Sequence, residues 1–149
     1  MTRTEDLLPS AKEVKQKIAL AEAEEAKKEA RMLAEAQAEK KALIDALSKP
    51  SGISEEEAIR RAMAIIERGI KNLKTESEVF RFPNQLCTDK GRAINQQELG
   101  WEKTLTGEPK EMYEFWRKHL RPRGYKLKVQ IMDFPDGLPG DIGMTLTWH

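Results

Sequence analysis

The forty residues 10–49 contain no glycine, no proline and no aromatic residue. This absence of helix-breaking residues strongly favours one continuous helix. Eleven of them are alanine, and most of the others are Glu, Lys, Gln or Leu, which lose little side-chain entropy in a helix. Ser10 with Glu13 forms a capping box at the start, and the Pro-Ser-Gly sequence at 50–52 ends the segment. We predict one helix over Ala11–Leu47.

This predicted helix has the spacing of a coiled coil but few of the side chains that a strong coiled coil uses. Intervals of four and three residues alternate along nine positions, namely Ala19, Ala23, Ala26, Ala30, Leu33, Gln37, Lys40, Ile44 and Leu47. Two of the nine are polar, and no large apolar residue lies between Leu20 and Met32. The pattern favours either a close-packed alanine seam against a second helix or a charged helix in solvent.

The larger apolar side chains of the segment lie toward its two ends, and we treat five of them as candidate contacts. They are Val14, Ile18, Leu33, Ile44 and Leu47. Binding to a membrane surface is disfavoured, because eight acids balance eight bases between Ala11 and Leu47 and bulky anchors are few. We call residues 1–50 the helical arm, and we predict that it self-associates or docks on another protein.

All nine aromatic residues and all nine glycines lie beyond residue 51, so the folded core is expected in the second half of the chain. A capping box at Ser54 and Glu57 precedes an amphipathic helix whose predicted buried face is Ile59, Ala62, Met63, Ile66, Ile70 and Leu73. A second helix is predicted over residues 109–120. A short β-like run that Pro83 ends predicts a strand over 78–82, and period-two alternation predicts two more over 125–131 and 142–148, joined as a hairpin.

These elements predict an α+β protein with a three-stranded antiparallel sheet covered by two helices. We expect residues 53–149 to form this small module and to fold without the arm, since the aromatic core and both hairpin strands remain. Residues 83–108 fit no regular element, apart from a short helix near 92–98. A segment of that length inside a small domain is often functional.

The one concentration of positive charge lies between Lys110 and Gln130. This stretch contains seven basic and two acidic residues, whereas the net charge of the whole chain is only +1. The candidate basic surface is formed by Arg81, Arg117, Lys118, Arg121, Arg123, Lys126 and Lys128. A basic sheet face suits nucleic acid or an acidic partner. However, the outward positions lack the aromatic residues that stack on bases in single strands, so an ordinary solvated face is the competing interpretation.

The single thiol, Cys87, and the only interior histidine, His119, are the obvious candidates for a nucleophile and its base. Nothing in the sequence brings them together, and the position of His119 near a helix end favours a packed or capping side chain. We therefore predict no catalytic residue. A small enzyme that uses the 83–108 segment, around Cys87, Asp89, Lys90 and Arg92, stays the least favoured hypothesis.

Two further groups of residues are interpreted as turn formers. Asp133, Asp136 and Asp141 do not have the spacing of a calcium loop, and one cysteine with two histidines is too few for structural zinc. Gly137, Gly140 and Gly143 precede a strand, whereas phosphate loops lead into a helix. We predict neither a metal nor another cofactor.

The sequence as a whole favours a non-enzymatic interaction protein, in which the arm oligomerises or docks and the module recognises a macromolecule. A nucleic-acid-binding protein that uses the 117–128 stretch is the main alternative. No apolar run approaches the roughly 18 residues that cross a membrane, no secretory signal is visible, and a lone cysteine suits a reducing compartment. We expect a cytoplasmic protein that does not bind membranes.

Overall fold

The computed structural model describes residues 3–149, and the predicted α+β fold with a three-stranded antiparallel sheet is confirmed. In chain order the elements are α1 (Ala11–Leu47), α2 (Glu55–Lys71), β1 (Glu76–Phe82), α3 (Arg92–Asn95), α4 (Gly107–Phe115), β2 (Lys126–Ile131) and β3 (Ile142–Thr147). A π-helical turn, Trp116–Leu120, continues α4. Across the described residues, no helix is both long enough and apolar enough to cross a membrane.

Helix α1 has the predicted bounds and the predicted cap. The backbone N–H of Glu13 donates to Oγ of Ser10 at 3.1 Å, which satisfies one of the free donors of the first turn. The chain divides into two compact units, Met1–Lys41 and Ala42–His149. In the first unit every described residue is exposed.

The last turn of α1 belongs to the second unit, because two of its side chains contact the core of the module. Ile44 and Leu47 are half-buried and pack against the central hydrophobic cluster. Gly107, at the start of α4, lies so close to this turn that a Cβ there would overlap the carbonyl oxygen of Leu47. The division between the units therefore lies before the last turn of α1.

The sheet has the order β1-β3-β2, with both pairs antiparallel. The predicted hairpin is present, and its register runs from Lys126 opposite Thr147 to Ile131 opposite Ile142. Every residue of the central strand β3 is buried. The inner face of the sheet carries four of the fully buried side chains of the module, Phe82, Ile142, Met144 and Leu146.

Helix α2 packs on the sheet with a face that shares Ala62 with the predicted one but is turned toward Ala58, Ile65 and Gly69. Ala58, Ala62 and Ile65 are half-buried and Gly69 is buried, whereas most of the predicted apolar face is exposed to solvent. The exposed side consists of Ile59, Met63 and Ile70 with half-buried Ile66, and we call these four residues the α2 stripe.

The difference between the predicted and the observed buried face of α2 has a steric reason. Ala58, Ala62, Ile65 and Gly69 also follow a four-three-four spacing, so the sequence offers two apolar faces on α2, and side-chain bulk favours the wrong one. The indole of Trp148 lies against Gly69, where a Cβ would stand 2.5 Å from Cζ2 of that ring. Small residues let α2 approach this closely, and the bulky residues are left outside.

Residues 83–108, for which the sequence predicts almost no regular structure, form a compact part of the core. Leu86, Cys87, Ile94 and Leu105 belong to the hydrophobic cluster, and α3 supplies a short helix where one is expected. Side chains bond the backbone of the segment, as where Nδ2 of Asn84 donates to the carbonyl oxygens of Lys90 at 3.0 Å and Pro139 at 2.9 Å. The segment is folded by contacts with distant residues rather than by local periodicity.

Candidate functional site

A groove of about 500 Å³ lies between α2 and α4, within the second unit. Its walls are apolar and include Ala62 and Ile65 of α2 and Met112 and Phe115 of α4. Val79, Phe80 and Leu146 of the sheet also line it. A bulge in β1, where the register shifts between Glu78 and Phe80, accompanies this arrangement and leaves Val79 and Phe80 both half-buried. Grooves of this size and polarity suit apolar side chains or small organic molecules.

A carboxylate with two basic partners lines this groove. Oε1 of Glu55, in the first turn of α2, accepts from Nζ of Lys118 at 2.7 Å and lies 2.6 Å from Nε2 of His119. The hydrogen bond from Lys118, with that from His119, lowers the pKa of the Glu55 carboxyl. His119 also packs on the ring of Phe115, with centroids 5.0 Å apart. The predicted packed position of His119 agrees with this geometry.

The remaining charges of the groove are unbalanced. Arg61 is paired with Glu57, and Lys118 is paired with Glu55. By contrast, Glu108, Glu111 and Glu114 of α4 line the groove without an ion pair in the described part of the chain, although Glu111 accepts a backbone N–H bond from Ser51. The groove therefore presents apolar walls and uncompensated negative charge along α4.

The candidate basic surface is spread over two places. Arg81, Lys126 and Lys128 lie on the outer face of the sheet, with β3 between the strand of Arg81 and that of the two lysines. Acidic side chains accompany them there: Nε of Arg81 donates to Asp141 at 3.1 Å, and Nζ of Lys128 lies 3.7 Å from Glu76. The bond to Asp141 raises the pKa of the Arg81 guanidinium. This face carries mixed charge rather than a continuous positive field.

The other members of the basic surface follow α4. Arg117, Arg121 and Arg123 are exposed, and the guanidinium of Arg121 lies 5.9 Å from the ring centroid of Trp116. Nη1 of Arg123 donates to the carbonyl oxygen of His119 at 2.7 Å, which caps the end of the helical turn. Nucleic-acid binding by these residues stays a prediction.

The candidate contacts of the arm differ between its two ends. Val14, Ile18 and Leu33 are exposed, by 40%, 53% and 60%. Ile44 and Leu47 instead contact the core of the module. Of the five candidates, only the first three leave most of their apolar surface in solvent, and contact with a partner stays a prediction for them.

The surroundings of Cys87 are not those of a reactive thiol. It is buried in the core, and burial raises the pKa of its thiol to about 11, although a hydrogen bond with Thr104 acts in the opposite direction. No hydrogen bond joins Cys87 to His119 within residues 3–149. The carboxylate of Asp89 accepts from the N–H groups of Gly91 and Ala93, which gives it a structural task at the start of α3.

Alkylation of Cys87 by iodoacetamide at pH 8 is expected to be at least about a hundredfold slower in the native protein than in the unfolded chain. The reason is that a thiol of pKa about 11 is almost fully protonated at this pH, while an ordinary thiol is partly ionised. Mass spectrometry measures the rate, and the same chain in denaturant is the control. Rapid native labelling would return Cys87 to the candidates for a nucleophile.

The acidic and glycine residues near the hairpin connection hold its shape. Oδ1 of Asp133 accepts from the N–H of Asp141 at 2.7 Å, and a Cβ on Gly140 would overlap that carboxylate. Gly143 lies against Met132, so its small size serves packing. Across residues 3–149, no three His, Cys, Asp or Glu side chains converge as metal ligands.

Comparison with known proteins gives no relative for this arrangement. A scan against protein-family models, a search of curated proteins and a search of solved structures each returned no match for the chain.

Sequence reasoning missed the groove and the part that Glu55 plays in it. Glu55 is one of three acids in the first turn of α2, where acids are expected for helix capping and dipole reasons. Its partners lie 63 and 64 residues away in the chain. The sequence did contain one signal for this contact, the opposite charge of two helix ends. The start of α2 is acidic, and the end of α4 is basic.

Proposed function

We propose that this chain is a non-enzymatic interaction protein that assembles through its helical arm and recognises a macromolecular partner with its α+β module. The observation that carries the proposal is the exposure of every described residue up to Leu43, although α1 continues unbroken to Leu47. Most helices in proteins gain their stability by burying a face. A helix of 37 residues, about 55 Å long, that buries only its last turn has a long surface for a partner.

The groove between α2 and α4 supports the second half of the proposal. Its apolar walls suit the side chains of a partner segment, and the carboxylates of Glu108, Glu111 and Glu114 suit basic groups beside them. A partner with mixed apolar and basic side chains fits both properties. We place the protein in the cytoplasm, where its only thiol, buried at Cys87, stays reduced.

Analytical ultracentrifugation of the full-length chain over a wide concentration range tests the assembly. We expect a reversible dimer or larger oligomer. Ala26→Glu places a charge in the predicted seam and is expected to weaken assembly by at least about tenfold, because an unpaired charge is costly to bury. Ala21→Glu makes the same change on the opposite side of α1 and is expected to leave assembly unchanged.

A photoreactive residue at position 26, with position 21 as its control, extends the test to other partners in cells. A full-length chain that is monomeric at every concentration and forms no crosslink from position 26 would contradict the proposal. The arm would then be a solvated helix, the interpretation that the sequence left open.

A further inference from the structure

The apolar side chains of the groove between α2 and α4 are only half-buried. They come from three elements, as with Ile65 of α2, Phe80 of the sheet, and Met112 and Phe115 of α4. Part of each side chain therefore stays in contact with solvent. An amphipathic helix that lies in such a groove with its apolar face inward would cover them, and this is a common mode of recognition.

Three carboxylates on α4 indicate the charge of the occupant. Glu108, Glu111 and Glu114 line the groove at intervals of three residues, and within the described chain none of them has an ion pair. Glu108 and Glu111 are half-buried. Like charges one turn apart on a helix repel each other, and positive charge from a partner compensates this repulsion. The groove therefore suits an apolar helix face that basic residues flank.

The first two turns of α1 have this composition. Val14 and Ile18 lie one turn apart on the same face and are 40% and 53% exposed. Lys15 and Lys17 lie on the two sides of that face. Residues 11–18, which we call the arm start, contain three lysines and one glutamate, and no lysine among them has an ion pair within the part of the chain that the structure describes.

We propose that the arm start of one copy lies in the groove of a second copy. Val14 and Ile18 then contact the apolar walls, and a lysine lies beside the carboxylates of α4. The contact is reciprocal, so a two-fold symmetric dimer fills both grooves. This inference rests on the proposed function, and it names the surface that the start of the arm binds.

The groove lies next to the end of α1, which makes the reciprocal contact possible. Ser51, just beyond the last turn of α1, lines the groove and donates its N–H to the carboxylate of Glu111 at 3.2 Å. In an antiparallel pair of arms, the start of each α1 lies beside the last turn of the other. Each arm start is then close to the groove of the other copy.

Helix length explains why the occupant comes from a second copy. The part of α1 from Val14 to Leu47 is about 50 Å long. Leu47 packs on the core of the module, and a unit of the size of Ala42–His149 is only about 34 Å across. The arm start cannot reach the groove of its own chain while α1 is a single helix.

Photocrosslinking of the purified full-length chain tests this contact. A photoreactive residue replaces Val14, and in the control it replaces Gln16, which lies on the opposite side of α1. From position 14 we expect crosslinked dimers in which mass spectrometry maps the second site to groove residues such as Met112 and Phe115. From position 16 we expect no link to the groove.

Sedimentation of charge-reversal variants gives an independent measurement. Glu114→Lys is expected to weaken the dimer by about tenfold, because repulsion replaces attraction in both grooves. Glu67→Lys, exposed on α2 and outside the groove, is the matched control and is expected to leave the dimer unchanged. A second reversal in the Glu114→Lys chain, Lys15→Glu or Lys17→Glu, is expected to restore most of the loss for the lysine that faces α4.

Four outcomes overturn the inference, and they have different consequences for the proposed function. An oligomer in which position 14 links to another arm but not to the groove shows that arms pair with arms, and the proposed function stands. The proposed function also stands if Glu114→Lys leaves the oligomer unchanged, but the charge contact is then absent. A monomer with a link between position 14 and its own groove shows that α1 breaks and folds back. A chain that neither assembles nor crosslinks contradicts both the inference and self-association.

Discussion

A chain that begins at Ala42 is expected to unfold cooperatively and to be more stable than a chain that begins at Ser51, by about 2–4 kcal/mol. The shorter chain lacks Ile44 and Leu47, two large aliphatic side chains that pack on the core of the module. Both are half-buried, so each contributes less than a fully buried residue would. Urea denaturation followed by circular dichroism measures the difference.

The double variant Ile44→Ala and Leu47→Ala in the chain that begins at Ala42 is the control for truncation itself. It is expected to lose most of the same free energy of unfolding while it keeps the backbone of the last turn. Equal stability of the two truncated chains would show that the arm ends at residue 50, as the sequence predicts, and that the last turn of α1 is dispensable.

Replacement of Gly107 by alanine is expected to reduce the free energy of unfolding by about 2–5 kcal/mol, through two costs. The first is conformational, because Gly107 has φ of +59°, in the left-handed region that L-residues adopt with difficulty. The second is steric, because a Cβ would overlap the carbonyl oxygen of Leu47 and stand 2.8 Å from Cα of Ser48. The end of α1 must move to admit the methyl group. Thermal and chemical denaturation report the loss.

Gly124→Ala separates the two costs. Gly124 has φ of +92°, and beyond its chain neighbours no atom lies within 4 Å of the place that a methyl group would take. Only the conformational cost therefore applies, and it is about 1–2 kcal/mol. An equal effect of the two substitutions would show that the last turn of α1 does not press on Gly107, and would remove one reason for assigning that turn to the module.

The sequence by itself determined the elements whose signals are local. A cap at Ser10, forty residues without a breaker and a Pro-Ser-Gly stop were sufficient for α1, since helix formation depends on neighbours a few residues apart. The hairpin of β2 and β3 followed in the same way from alternation and a turn-rich connection, and the two strands pair as neighbours in the sheet. These signals also gave the α+β class.

Only the tertiary structure decided which apolar face of α2 is buried and where the groove lies. Ile65 and Met63 both satisfy a helical period with Ala62, and the choice depends on how closely the indole of Trp148 approaches Gly69. Glu55 meets Lys118 and His119 only because α2 and α4 stand beside each other on the sheet. Periodicity states that a face is apolar, but burial depends on the shape of the surface opposite it, and that surface comes from distant parts of the chain.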